Sequence, residues 1–340
     1  MRTHFAQICM AALLSCVPVA FAHEGPEHEI EEITEEMAKH GETAKLLTER
    51  AIEYRVLGKL PESIKDLDRA SVLDPQSIPI CREYSRVLFL SGKPPEALAA
   101  ITRGLALKTE EPTDFASLRM LRAEILRSQN ENKKAIEDCD AAIRLHRQNP
   151  EWYLMRSDIQ RRLKLHTERI AGIEDGISET GAGILEIERI EAWIDAGEFT
   201  TALTVIEREL EDSRIKSSWL IRRARVFIGV GKKADAEEDL KDALEEIGKR
   251  INPKTPDVPL LLDKALAHEL LGEKREAVKA YEEARDKGAS EVANLNEKIK
   301  ALQDPTDQKP AAETKPDSDT KPAPEVKPPA ETKPSTDAKQ

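Results

Sequence analysis

The chain has 340 residues, a formal net charge of −12 and 34% charged residues, with only 4% aromatics. Acid is spread along its length without a basic block, which speaks against a protein that neutralises nucleic-acid phosphates. Few aromatics among many Ala, Leu, Ile, Glu, Lys and Arg predict a mostly helical chain, long enough for two ordinary domains or one elongated array.

The first predicted element is an export signal over residues 1–22. Arg2 supplies its positive end, "FAQICMAALLSCVPVAFA" is apolar, and "AFA" has the small-x-small form that signal peptidase reads. Cleavage after Ala22 is expected, leaving a periplasmic or secreted chain with no integral membrane span. Two rivals stay open. The apolar run could be retained as a membrane helix, or "LLSC" could act as a lipobox, with a lipid on Cys16 making an envelope lipoprotein. Against the second, "VPVAFA" would be unusually apolar after a lipidated cysteine. Without the signal, Cys81 and Cys139 are the cysteines left. They match no ligand or redox spacing, so buried free thiols are expected, with one disulfide as the alternative.

Residues 23–43 form an acidic, histidine-containing leader that opens on "HEGPEH". It is not the zinc motif HExxH: three residues separate Glu24 from His28, and Gly25–Pro26 cannot lie within a helix. A different metal idea remains. After cleavage, the free amine and imidazole of His23 could chelate one ion, preferably Cu(II), with His28 as a further ligand. The alternative is a leader whose histidines do nothing. "EIEEITEEMAKH" within it can form a short helix.

From residue 44 to 288 one phrase returns: "AIEYRVLGKLPESIKDLDRASVLDP", "SRVLFLSGKPPEALAAITRGLAL", "AEILRSQNENKKAIEDCDAAIRL", "AWIDAGEFTTALTVIEREL", "ARVFIGVGKKADAEEDLKDAL" and "ALAHELLGEKREAVKAYEEA". Each reads as an amphipathic helix, a short turn and a second helix. Small residues fall in the first helix at Ala51, Ser85, Ala123, Ser157, Ala224 and Ala265. The turn falls on Gly58, Gly92, Asn130, Lys164, Gly197, Gly231 and Gly272. Small residues open the second helix at Ser63, Ala97, Ala135, Ala202, Ala236 and Ala277, and recur later at Ala70, Gly104, Ala142, Gly176, Ala243 and Ala284. Small side chains let two antiparallel helices touch, and large ones such as Leu67, Ile101, Leu240 and Tyr281 fill the space between repeats.

These positions resemble the tetratricopeptide repeat. The resemblance implies an all-α, right-handed α-solenoid of about seven helix-turn-helix repeats. The turn residues recur at intervals of 34, 38, 34, 33, 34 and 41. The long intervals place insertions near "KTEEPTD", with a slipped junction at "RQNP", and at "GKRINPKTPDVP", whose prolines cannot continue a helix. Arg169, Ile190 and Glu209 stand where small residues are expected, so packing in repeats four and five is expected to be looser. A capping helix is predicted within 289–303.

From 304 to 340 the chain has no aromatic residue, no glycine and eight prolines, with lysines at 309, 315, 321, 327, 333 and 339. Such a segment is expected to stay disordered and extended, as a spacer or solubilising tail.

Chemistry is sparse. "GVGKKAD" lacks the spacing of a phosphate loop, and His146, His166 and His268 share no acid or nucleophile partner. No Ser–His–Asp, Cys–His or paired-carboxylate arrangement stands out, so a non-catalytic chain without a cofactor is expected.

The family resemblance implies a concave groove lined by the first helices, which would bind a protein or peptide. In the first four repeats its positions include Arg55, Arg82, Arg86, Phe89, Arg127, Leu154 and Arg161. In the last three they include Ile187, Ile194, Ile221, Arg225, Ile228, Leu262 and Leu266. The groove would be cationic in its first half and apolar in its second. Arginine suits carboxylates, although the Lys/Asn pattern of family members that clamp a peptide C-terminus is absent. The arginines could instead pair with Glu83, Glu124 and Asp158, and the aliphatic residues could be packing rather than groove.

Overall fold

Among the residues with left-handed backbone, seven stand at the turn inside a helix pair: Gly58, Gly92, Asn130, Lys164, Gly197, Gly231 and Gly272, at φ between 58° and 80°. They are the seven turn residues expected from the sequence. Each closes a helix end in the same way. The amide of Gly58 donates to the carbonyl of Arg55 at 2.9 Å and that of Lys59 to Tyr54 at 2.8 Å. The amides of Gly92 and Lys93 repeat this with Phe89 and Leu88. Two otherwise orphaned carbonyls are satisfied per turn.

The computed structural model describes residues 25–303 apart from 109, 110, 253, 256, 290 and 291. The expected signal, Cys16, His23 and the Lys-Pro tail lie outside the described residues.

Among the described residues all regular structure is helical. The elements are α1 (Pro26–His40), α2 (Ala44–Val56), α3 (Leu60–Leu73), α4 (Ile78–Leu90), α5 (Pro94–Leu105), α6 (Pro112–Ser128), α7 (Asn132–Leu145) and α8 (Pro150–Arg162). There follow α9 (His166–Thr180), α10 (Gly183–Ala196), α11 (Phe199–Asp212), α12 (Ser217–Gly229), α13 (Lys233–Arg250), α14 (Val258–Leu270), α15 (Lys274–Asp286) and α16 (Val292–Gln303). Helices α2–α15 pair into seven helix-turn-helix repeats, the α-solenoid fold expected. Even-numbered helices are the first of each pair.

The chain divides into two compact bodies between Glu246 and Ile247. In the first, α1 packs on α2, and among the described residues apolar clusters join successive pairs from α1 to α10. One centres on Leu47, Leu67 and Val87, the next on Ile101, Leu118 and Ile125, and the third on Ile143, Tyr153, Ile159 and Ile173. In the second body Leu261, Tyr281, Leu295 and Ile299 pack α14, α15 and α16 together.

The small residues stand where helices touch. Ala51, Ser85, Ala97, Ala123, Ala135, Ala224 and Ala265 are all fully buried. At Gly104 a Cβ would lie 2.8 Å from Leu118 and 3.0 Å from Cys81, so only glycine lets α5 and α6 approach this closely. Two serines add hydrogen bonds between the paired helices of a repeat. Ser63 Oγ donates to the carbonyl of Ala51 at 2.7 Å, and Ser85 Oγ to that of Ala97 at 2.8 Å. Leu67, Ile101, Leu240 and Tyr281 are buried as expected.

The first long interval is taken up inside a helix. α6 has 17 residues where α2, α4, α8 and α12 have 13, and its extra turn lies at its N-terminus. The second is shared between a long α13 of 18 residues, which carries Gly248–Arg250 as helix, and the segment after it. The leader is helical from Pro26, with Gly25 at the N-cap and Pro in the first turn, where its missing N–H costs no bond.

Candidate partner-binding face

A bidentate clamp joins the two helices of three repeats. Arg50 donates from Nε and Nη2 to the two carboxylate oxygens of Asp66 at 2.7 and 2.8 Å. Arg122 does the same to Asp138 at 2.6 and 2.6 Å, and Arg223 to Asp239 at 2.8 and 2.6 Å. Each pair is sixteen residues apart, and each aspartate is buried. The hydrogen bonds to these carboxylates raise all three guanidinium pKa values. At the matching place in repeat two, Tyr84 instead donates to Asp68; burial and then that bond push its hydroxyl up to about 12. Repeat four has Arg156, which reaches Asp140 at 2.8 Å and the carbonyl of Gly172 at 3.1 Å. These pairs hold repeats together and offer little to a ligand.

A second set of ion pairs joins neighbouring first helices. Arg55 of α2 meets Glu83 of α4. Arg127 of α6 donates to Asp158 of α8 at 2.6 Å, and Arg161 and Arg162 bond the same carboxylate at 2.8 and 3.1 Å. Burial would raise Asp158, but the bond from Arg161, the charge of Arg162 and the bond from Arg127 together hold its carboxyl below its ordinary value. On α10, Glu191 takes Arg222 of α12 at 2.7 Å and also Arg225, while Asp195 takes Arg225 at 3.0 Å. Burial again opposes ionisation of Glu191, and Arg225 and Arg222 again outweigh it.

Arg169 completes this set from α9. It is 1% exposed, donates Nε to Ser157 Oγ at 2.9 Å, Nη2 to Glu188 at 2.7 Å and Nη1 to Asp195 at 2.7 Å. Ser157 Oγ in turn donates a hydrogen bond to Glu188 at 2.6 Å. Looser packing does not follow from the large residue here. Arg169 occupies the small-residue site with each of its three guanidinium nitrogens bonded, so the expectation of a loose fourth repeat is corrected. In repeat five Ile190 is likewise buried.

The predicted site residues therefore separate. Arg55, Arg127, Arg161 and Arg225 are neutralised by acids of the chain itself. Arg82, half-buried, and Arg86, exposed on α4, make no hydrogen bond or ion pair among the described residues. Glu124 on α6 is also without a polar partner there. Phe89 is half-buried against the core, beside exposed Leu90; Val56 is the matching exposed residue on α2. Ile194 and Ile221 are both buried, which places them with the packing alternative rather than in an open groove. Ile228 stays exposed, whereas Leu154 and Ile187 are half-buried. In the second body Leu262 is half-buried against its core and Leu266 is half-buried.

Of the metal-binding pair, His28 lies on α1 with Nδ1 3.8 Å from Glu32, and His23 is outside the described residues. Among the described residues no group of three His, Cys, Asp or Glu side chains could hold a metal ion. Cys81 and Cys139 are buried and unlinked. No helix among the described residues is long and apolar enough to cross a membrane.

Residues 85–150 match the family model described as tetratricopeptide repeat. Among solved structures, the fold is similar to a tetratricopeptide repeat protein from Parabacteroides merdae. The two are 15% identical with a TM-score of 0.55, over 82% of this chain and all of that one. It is also similar to the C-terminal part of a TPR repeat-containing protein from Cytophaga hutchinsonii. That match has 15% identity and a TM-score of 0.50, over 72% of this chain and 97% of that one. No curated protein matches the chain.

Proposed function

We propose that this chain, a tetratricopeptide-repeat protein by its family match and its fold, is a non-catalytic scaffold of the bacterial cell envelope that binds another protein or peptide on its first-helix face around α4. One observation carries the location. Arg82 and Arg86 lack partners on a face where Arg55, Arg127, Arg161 and Arg225 are each taken by a carboxylate of the chain. Two adjacent guanidinium groups beside exposed Val56 and Leu90 suit an anionic segment with an apolar side chain next to its carboxylate. The envelope assignment is supported by the apolar N-terminal run that ends in "AFA".

The test is cross-linked capture from native envelope extract, with wild type, Arg82→Ala/Arg86→Ala and Arg161→Ala compared at equal helicity. The α4 variant should lose the captured partner and Arg161→Ala should keep it. Equal capture by all three overturns the assignment of the face. The mass of the mature N-terminus tests the compartment: a start at His23 supports cleavage, and an acylated Cys16 replaces it with a lipid-anchored protein.

A further inference from the structure

We infer that the cleft between α1 and α2 is a separate docking site, which takes a cationic amphipathic segment of a partner protein: aliphatic side chains flanked by lysine or arginine. The cleft has a volume of ≈ 400 Å³. Its α1 wall is Glu29, Glu32, Ile33 and Glu36, and its α2 wall is Glu49, Ile52 and Glu53. Spacings of three and four residues put each set on one stripe of its helix. Two half-buried isoleucines thus form an apolar floor between two carboxylate rims.

What sets these acids apart is their lack of cations. Along the first helices Glu83, Asp158, Glu188, Glu191 and Asp195 each meet an arginine of the chain. In the cleft the carboxylates of Glu29, Glu36 and Glu53 make no hydrogen bond or ion pair among the described residues. Glu32 has only His28 at 3.8 Å, and Glu49 only Lys45 at 3.7 Å. The arginine at hand, Arg50, is already committed to Asp66 and to Thr34 of α1. Five like charges around an apolar floor repel one another until a cation enters.

A bare metal ion does not suit this arrangement. The isoleucines separate the two acidic stripes, and no acids among the described residues converge at metal-binding geometry. A peptide does suit it. Leucine-like side chains cover Ile33 and Ile52, while lysine stems run along them and place their ammonium groups at the rims. Charge complementarity also assigns the two sites to opposite segments, with an anionic one at α4 and a cationic one here.

The experiment is fluorescence anisotropy on the full chain with three labelled peptides of equal length. One is a lysine–leucine amphipathic helix, one has serine for leucine, and one has glutamate for lysine. The lysine–leucine peptide should bind at least ~10-fold tighter than the lysine–serine one, and the glutamate peptide should not bind. Glu32→Gln/Glu36→Gln/Glu53→Gln should weaken the lysine–leucine peptide at least ~10-fold with helicity unchanged. Ile52→Ser should weaken that peptide and leave the lysine–serine one as it was. Arg82→Ala/Arg86→Ala should bind as wild type does, so that failure of the α4 reading and failure of this one are told apart. Equal binding of the lysine–leucine and lysine–serine peptides, or unchanged binding by the glutamine variant, overturns the proposal. Full displacement by millimolar Ca²⁺ alone would also do so, because the cleft would then be a cation site.

Discussion

Arg169 of α9 donates Nη2 to Glu188 of α10 at 2.7 Å, from a site that holds alanine or serine in the other repeats. A guanidinium there links the second helix of one repeat to the first helix of the next, and through Asp195 to Arg225 of the repeat beyond.

Arg169→Ala should therefore destabilise the first body, although alanine is the residue the repeat favours. Removing one partner of a fully buried pair costs roughly 3–5 kcal/mol. Glu188 and Asp195 are partly hydrated and Asp195 keeps Arg225, so about 2–3 kcal/mol is expected here. Urea unfolding measures the loss. In Arg169→Ala/Glu188→Gln the loss should be smaller than the sum of the single changes. A loss below about 0.5 kcal/mol, the ordinary level of a surface change, would mean that the network is incidental.

Acid should weaken the fold through Asp158 and Glu191. Both are held below their ordinary values in the folded chain, so both stay ionised to lower pH there than when unfolded. Their contribution is complete above the unfolded-state values near pH ~4 and fades as pH falls through the lower folded values. Urea midpoints taken from about pH 7 to about pH 3 should fall across this window. Asp158→Asn/Glu191→Gln should start lower at neutral pH and show a flatter decline.

Lys164 is a lysine in left-handed backbone, at φ 58°. Left-handed backbone costs a residue with a side chain roughly 1–2 kcal/mol, and glycine's freedom in the unfolded chain returns about half of that. Lys164→Gly should raise stability by about 0.5–1 kcal/mol, and Gly92→Ala should lower it by about 1 kcal/mol. Thermal unfolding of the two variants checks both signs.

Burial pushes the Cys139 thiol up to about 12 and raises Cys81 as well. Neither should react with a thiol probe in the folded chain. Labelling in buffer should be at least ~100-fold slower than in urea, for want of both thiolate and access. Fast labelling of Cys139 without denaturant would mean that α7 opens locally.

The seven repeats could be read from the sequence because the turn and small residues obey local rules. A left-handed helix end needs glycine or asparagine, and helices in contact need small side chains. Lys164 held its place by interval alone. The state of the arginines could not be read in this way. That Arg127 is taken depends on Asp158, thirty-one residues beyond it and on a different helix. Arg169 was visible as an exception, but its partners Glu188 and Asp195 come together only once α9 and α10 pack. Ile194 and Ile221 share a spacing with exposed Ile228, and the closeness of neighbouring helices alone separates core from surface.

In every repeat the turn residue follows the first-helix contact position by seven residues and precedes the second-helix one by five, as in Ala51, Gly58 and Ser63 or Ile190, Gly197 and Ala202. The extra residues lengthen the far ends of α6 and α13 and the segment after α13, never the stretch between the two contact positions of a hairpin. The fold thus has a ruled edge and a slack edge. A fluorescent reporter or affinity tag spliced in beside Lys254 has room to be absorbed, whereas the same cargo beside Gly92 would pull two touching helices apart.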